Sequence, residues 1–352
     1  MADAELAQPV FLPRGVADPG GRTGYVTNAA GGIDALDLLT GEQLWSTAVG
    51  SRPLALVGNR LAAQRPRQEK TNALEIVVLD VTQQGTLVLI SDPVVFPEWV
   101  SVAPATEESF TYRIFIDDHH LLLDWHARGR YQGGAAPPPQ ILAQATQDAT
   151  GTARIHLETG QVEMLPHTPH AAAHLPEGLQ HVTSRPYLAG SSWQTEAWIA
   201  SKKLSAFVSK ESEGREALYL MTWDVSTGQA HEPILLVTGK ALVPYVTPEG
   251  RYLFIHPEVP PAPQPAENQA WWVFSAETGQ PLATLSYEPG AQEACVVGAR
   301  VYYLVEGPSP PLASGGAVLP RTLKARELAS DQVLWERPLQ GRRVSKPPPL
   351  RP

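Results

Sequence analysis

An all-β chain closed into a single β-propeller is the fold this sequence predicts, and three observations predict it. A hairpin signature occupies residues 35–45, weakened copies of it recur to the C-terminus, and strand-like runs lead into the copies. In the first copy, Ala35-Leu36-Asp37 ends a strand, Thr40-Gly41 makes a turn, and Leu44-Trp45 starts the return. Recurrence at this scale marks a radial repeat whose sheets bury their faces against one another.

Aligned on Thr40, the copies fall at Gln83, Thr159, Thr227, Thr278 and Ser330. Six units share 352 residues at about 59 each, roomy for four-stranded blades of roughly 40–50 residues. Six blades is the resulting count; seven stays open if a degenerate blade lies near 166–195. Gly41, Gly160, Gly228 and Gly279 supply the positive φ that the turn asks for. Trp45 and Trp335, each five residues past the turn position, are large apolar wedges placed between blades. The aspartates Asp37, Asp80 and Asp224, with Glu158, Glu277 and Glu327 nearby or equivalent, recur at the turns and read as caps for backbone amides.

The runs leading in are β-branched and aromatic: residues 73–80, 111–116, 217–223, 271–274 and 301–305. Helical candidates are confined to an Ala-rich piece around His170 to His174 and to Gln140–Asp148. Asp118-His119-His120 reads as a hairpin turn. Asp124-Trp125-His126 reads as a hydrogen-bonded packing unit between blades, with a channel acid–base pair or metal centre as the competing reading.

The pattern Ala-Leu-Asp-x-x-Thr-Gly-x-x-x-Trp, complete at 35–45, resembles the tryptophan-docking hairpin of the pyrroloquinoline-quinone-like (PQQ-like) repeat family. The resemblance implies a propeller and does not by itself specify an activity. Quinone dehydrogenases of that family usually have eight blades, calcium and a vicinal disulfide. With Cys295 as its only cysteine, this chain lacks the means for that disulfide. The resemblance therefore implies a non-enzymatic member similar to the assembly scaffolds, with no cofactor.

One propeller domain is expected over 1–352, with loop insertions at 133–150 and 257–269 and a proline-rich basic tail at 340–352. A net charge of −9 disfavours nucleic acid, whose backbone calls for clustered Lys and Arg. No basic leader with an apolar core opens the chain, no apolar run is long enough to span a membrane, and one cysteine suits a reducing compartment; a cytoplasmic location follows as the expectation. Cys295 itself, in Ala294-Cys295-Val296, reads as a buried small hydrophobe.

Eight of the ten histidines lie between 119 and 181. His170 and His174 would share a helix face and, with His167, present three nitrogens to zinc; surface histidines on a loop are the plainer reading. Pro137, Pro138 and Pro139 in the first insertion, with Arg342 and Arg343 in the tail, are the candidate partner contacts. The leading functional expectation is a non-catalytic protein-binding or assembly-scaffold module with another protein as partner. The alternative is a metal-dependent hydrolase or lyase using a central-channel His/Asp site.

Overall fold

The computed structural model describes residues 9–66, 72–100, 110–127, 148–165, 180–182, 185–186, 198–200, 203–212, 215–224, 226–240, 242–247, 250–257, 270–288, 290–307 and 317–344. They form six sheets of four or five strands and one two-stranded sheet, an all-β, propeller-like architecture. The first sheet holds Val10–Leu12, Gly15–Ala17, Thr23–Thr27, Ile33–Asp37 and Gln43–Thr47 in chain order. The second runs Arg52–Val57, Arg60–Gln64, Ile76–Asp80 and Thr86–Ile90, and the third Phe110–Asp117, His120–Ala127, Ala149–His156 and Val162–Leu165. Lys203–Ser212, Arg215–Asp224 and Ile234–Gly239 form most of the fourth. The fifth contains Leu242–Val246, Tyr252–Pro257, Ala270–Ser275 and Pro281–Ser286; the sixth contains Ala291–Val297, Arg300–Glu306, Ala317–Glu327 and Val333–Val344.

The region in which a seventh blade was left open behaves differently. Gln180–Val182 and Trp198–Ala200 pair with Lys203–Ser212, while Arg185–Pro186 pairs in parallel with Leu242–Val246. These short strands extend the leading edges of the fourth and fifth sheets and make no sheet of their own. Leading strands face the interior: Gly15–Ala17 touches Arg52–Val57, which touches Phe110–Asp117, and Val10–Leu12 touches Ala291–Val297. The last strand of each sheet is the exposed one, as in Thr86–Ile90.

Alternation along the strands supplies the glue, because residues two apart share a face. One apolar cluster joins the sixth and first sheets (Tyr302, Leu323, Leu36, Leu38), a second the first and second (Ile33, Ala35, Leu61, Val77), and a third the second and third (Ile76, Val78, Leu123, Trp125). Two more join the fourth to the fifth and the fifth to the sixth. Cys295 lies buried in the sixth–first cluster, as a small hydrophobe should.

At the circumference the turns at Gly41, Gly85, Gly160 and Gly279 lean on the outer strand of the preceding sheet. A β-carbon at Gly41 would lie 2.7 Å from the Trp335 indole, and one at Gly85 the same distance from Trp45. Only glycine allows that approach while also holding φ at +75° and +76°. The Trp335 Nε1–H donates to the Leu38 carbonyl (3.2 Å), Tyr302 Oη donates to the same oxygen (3.0 Å), and Arg337 donates to the Gly41 carbonyl (3.0 Å). Thus the tryptophans are wedges between sheets, and the last sheet closes on the first.

The turn aspartates cap amides. Asp37 Oδ1 accepts from the Leu39 and Thr40 amides at 2.7 and 3.0 Å, Asp80 Oδ1 from Thr82, and Asp224 Oδ1 from Ser226 and Thr227. The capping position in the third and fifth sheets belongs to His156 and Ser275, not to Glu158 and Glu277: the Glu158 amide donates to His156 Nδ1 (3.1 Å) and that of Thr278 to Ser275 Oγ (3.4 Å). Any short side chain with an acceptor serves, so the acidic letter drifts while the job persists. In the sixth sheet Glu327 keeps the position and accepts from the Ser330 hydroxyl.

Candidate functional site

The third sheet has two unlike faces. Register places Phe110, Tyr112, Ile114 and Ile116 beside Ala127, Trp125, Leu123 and Leu121, and these beside Ala149, Gly151, Ala153 and Ile155. This face packs on the second sheet, and Trp125 lies over Gly151 with Phe96 edge-on to its ring and to Phe110, while Phe110 stacks on the indole at a tilt of 25°. The opposite face, by the same register, carries Arg113, Phe115 and Asp117, then His120, Leu122, Asp124 and His126, then Thr150, Thr152, Arg154 and His156. It is the side away from the second sheet, and it gathers two arginines, two aspartates and three histidines.

Its groups are organised in cross-strand pairs. Arg113 stands opposite Asp124, which accepts from Thr152 Oγ1 at 3.0 Å. Burial pushes the Arg113 guanidinium below its ordinary value, and the Asp124 carboxylate pulls it part of the way back. Arg154 reaches Asp117 Oδ2 at 3.2 Å and His120 Nδ1 at 3.4 Å. The rings of His120 and His156, direct neighbours in register, lie 4.7 Å apart and edge to face. His126 Nε2 meets Asp148 Oδ2 at 3.1 Å, and His119, at the hairpin tip, lies 3.9 Å from Glu158.

The expected Asp124-Trp125-His126 packing unit is therefore split: the period of two sends Trp125 to one face and its neighbours to the other. Asp118 and His119 do form the two-residue hairpin tip, with Asp118 in the left-handed region at φ 52°. Among the described residues no group of three His, Cys, Asp or Glu side chains has the arrangement to hold a metal ion. What the face can do is donate and accept hydrogen bonds through balanced charges, since each cation named above is matched by a carboxylate. A groove of about 520 Å³ elsewhere, between the first and second sheets, is lined by small residues such as Gly31, Gly32 and Ala48; its one charged member, Arg65, is held by Glu75 at 2.7 Å.

His167, His170 and His174, together with Pro137, Pro138 and Pro139, lie outside the described residues, as do the helical candidates apart from Asp148. Arg342 and Arg343 fall within Val333–Val344, paired in register with Leu319 and Val318, so residues 340–344 of the expected tail belong to a strand. Sequence reasoning named Asp124, His120 and His126 but missed Arg113, Arg154 and His156 as their facing partners. Alternation of polar and apolar letters along 120–127 and 149–156 was the signal available; the register that aligns the two runs was not.

No protein-family model matches this sequence, and no curated protein sequence matches it. Among solved structures, the computationally designed Ika8 protein is similar over 94% of this chain and 88% of its own, at 13% identity and a TM-score of 0.41. A Dos1 propeller is similar over 94% of this chain and 69% of its own (11% identity, TM-score 0.28). BamB from Moraxella catarrhalis is similar over 88% and 78% respectively (14% identity, TM-score 0.28). The likeness to known β-propellers is thus broad in coverage and weak in superposition.

Proposed function

We propose that this chain is a non-catalytic protein-binding or assembly-scaffold module, built on one six-bladed propeller of PQQ-like repeats. The observation that carries the reading is the outer strand of the second sheet. Thr86–Ile90 presents Leu87-Val88-Leu89-Ile90 at the rim with Leu87, Val88 and Ile90 each more than two-fifths exposed, and Val95 half exposed close by in sequence. No ionisable residue occurs from Val81 to Ser91. A run of exposed apolar residues on one strand is a liability that function explains better than folding does.

The rim repeats the theme. Leu44, Val88, Leu282 and Leu334 are each the residue skipped where the outer strand bulges against its neighbour, and all four are exposed. A bulge blunts a sheet edge against strand addition and turns a side chain outward. The bulge does not require that side chain to be apolar. The partner is read as another protein met side chain to side chain, in a cytoplasmic setting. Pro137, Pro138, Pro139, Arg342 and Arg343 are the further contacts proposed.

Native pull-down with wild type and with Val88→Asp tests the reading. Val88 is exposed, so the variant folds, and a stoichiometric companion recovered with wild type is lost. Recovery of the same companion with Val88→Asp, or of none with wild type, refutes this rim as the interface. Deleting residues 137–139 and, separately, exchanging Arg342 and Arg343 for Ser applies the same comparison to the other contacts. The hydrolase or lyase alternative calls for a central-channel His/Asp site, with His167, His170 and His174 as separate candidate metal ligands; one metal ion retained per chain of tag-free protein would favour it, and loss of that ion on His170→Ala would assign the ligands.

A further inference from the structure

The groove between the first and second sheets and the apolar strand beside it form one surface. Ile90, the last residue of Thr86–Ile90, lines the groove together with Val77 and Val49. Register puts Leu87 on that same side: Leu87 pairs with Leu79 and Ile90 with Val77, and both partners belong to the apolar cluster shared with the first sheet. Directly paired residues of antiparallel strands share a face. Val88 is the extra residue of the bulge between Leu87 and Leu89. Leu87, Val88 and Ile90 thus make an exposed ridge along one wall of the groove, and Val49, 38% exposed, stands on the other.

The wall built by the first sheet is preorganised. Asn28 Oδ1 accepts from the Ala30 and Gly32 amides at 3.0 and 2.9 Å, while its Nδ2 donates to Asp34 Oδ1 at 2.9 Å and to Ser46 Oγ at 3.2 Å. The turn so held presents Ala30, Gly31 and Gly32 to the groove, with no side chain larger than a methyl. The volume of about 520 Å³ lies within the range of binding clefts, roughly 300–1,000 Å³.

Charge decides the partner. No ionisable residue occurs from Val81 to Ser91, and Arg65 in the groove is balanced by Glu75 at 2.7 Å. A different protein could meet charges here with charges of opposite sign. An identical copy related by a two-fold axis brings the surface against itself, so any net charge on it would meet its like. On a chain of net charge −9, a neutral ridge beside a neutral groove is the form that a self-interface requires. We propose that this face joins two copies of the chain, the ridge of each lying in the groove of the other. The proposal rests on the reading of the rim as a binding surface and names its partner as a second copy.

Sedimentation equilibrium of the purified full chain, alone, tests it. Wild type should show a reversible monomer–dimer equilibrium with a Kd of ~1–100 µM, as suits a small apolar interface. Association should hold or tighten as NaCl rises from ~0.05 to ~0.5 M, because salt screens the repulsion between two anionic chains and no ion pair across the contact is lost. Val88→Asp and Val49→Lys, each at an exposed site, should each weaken it at least ~10-fold with the far-ultraviolet spectrum of the fold unchanged. Combined in one chain they should restore it, since the new carboxylate on each ridge then meets the new ammonium in the other copy's groove. A wild type that stays monomeric, a dimer that Val88→Asp leaves intact, or a double variant no tighter than the singles overturns the proposal. A monomeric wild type that still captures a companion lost on Val88→Asp would remove the second copy and leave the rim reading standing; failure of both measurements sinks both.

Discussion

The closure between the sixth and first sheets and the boundary between the third and fourth are built on opposite principles. At closure, Trp335 lies on Gly41, Tyr302 is fully buried, and two side chains donate to one carbonyl of Leu38. On the fourth sheet, by contrast, the apolar cluster of Ala206, Val208, Met221 and Trp223 includes no described residue of the third, and among the described residues a β-carbon at Gly228 would meet nothing within 4 Å. In a ring cut from one chain, the boundary that lacks covalent continuity is the natural weak point. Here that boundary is the reinforced one.

Removing the reinforcement gives the largest effect expected. Trp335→Ala loses a half-buried indole and its hydrogen bond to Leu38, and should cost about 3 kcal/mol in urea unfolding. A cost below about 1 kcal/mol would mean that the closure is held elsewhere. A smaller loss, about 2 kcal/mol, is expected of Arg113→Ala, because Asp124 would then sit partly buried without the cation opposite. The double change Arg113→Met with Asp124→Leu should recover that loss. If the double variant is no more stable than the single, the carboxylate left without its cation is not the source of the loss.

Acid sharpens the comparison at the fourth sheet's turn. The Ser226 hydroxyl, with the Thr227 and Ser226 amides, holds the Asp224 carboxyl down at about 2. A carboxyl depressed in the folded state stabilises the fold above its unfolded value near 3.8, and the contribution disappears as pH falls through 2. Stability should therefore decline between pH 4 and 2, and Asp224→Ala should flatten part of that decline while lowering stability at pH 7. The exposure of this turn makes it the smallest of these effects. An unchanged acid limb would remove Asp224 from the account.

Much of the fold was legible in residues 35–45. A glycine that must take positive φ, an acidic cap four residues before it and a tryptophan four residues after it fix a hairpin by local chemistry alone. The cap at His156 and the tie at Asp331 were hidden because a different side chain performs the same task there. A seventh blade near 166–195 stayed open because a long interval between copies does not say which sheet its strands join. Gln180–Val182 and Trp198–Ala200 complete an existing edge instead. The polar face was half visible: histidines and aspartates stood out at 117–126, but their pairing with Arg154 and His156 depends on register across a connection of more than twenty residues. Such pairings of high sequence separation are set by the whole sheet, not by either strand.

The most direct test of the asymmetry is a matched pair of glycine substitutions read by equilibrium unfolding. Gly41→Ala and Gly228→Ala both force alanine into the left-handed region, at φ +75° and +68°, so both pay a strain of about 1–2 kcal/mol. Only Gly41→Ala also drives a β-carbon to 2.7 Å from a tryptophan ring. The account predicts that Gly41→Ala is the more destabilising by at least about 2 kcal/mol. Equal costs would contradict it, because the two boundaries would then be tied, or untied, alike.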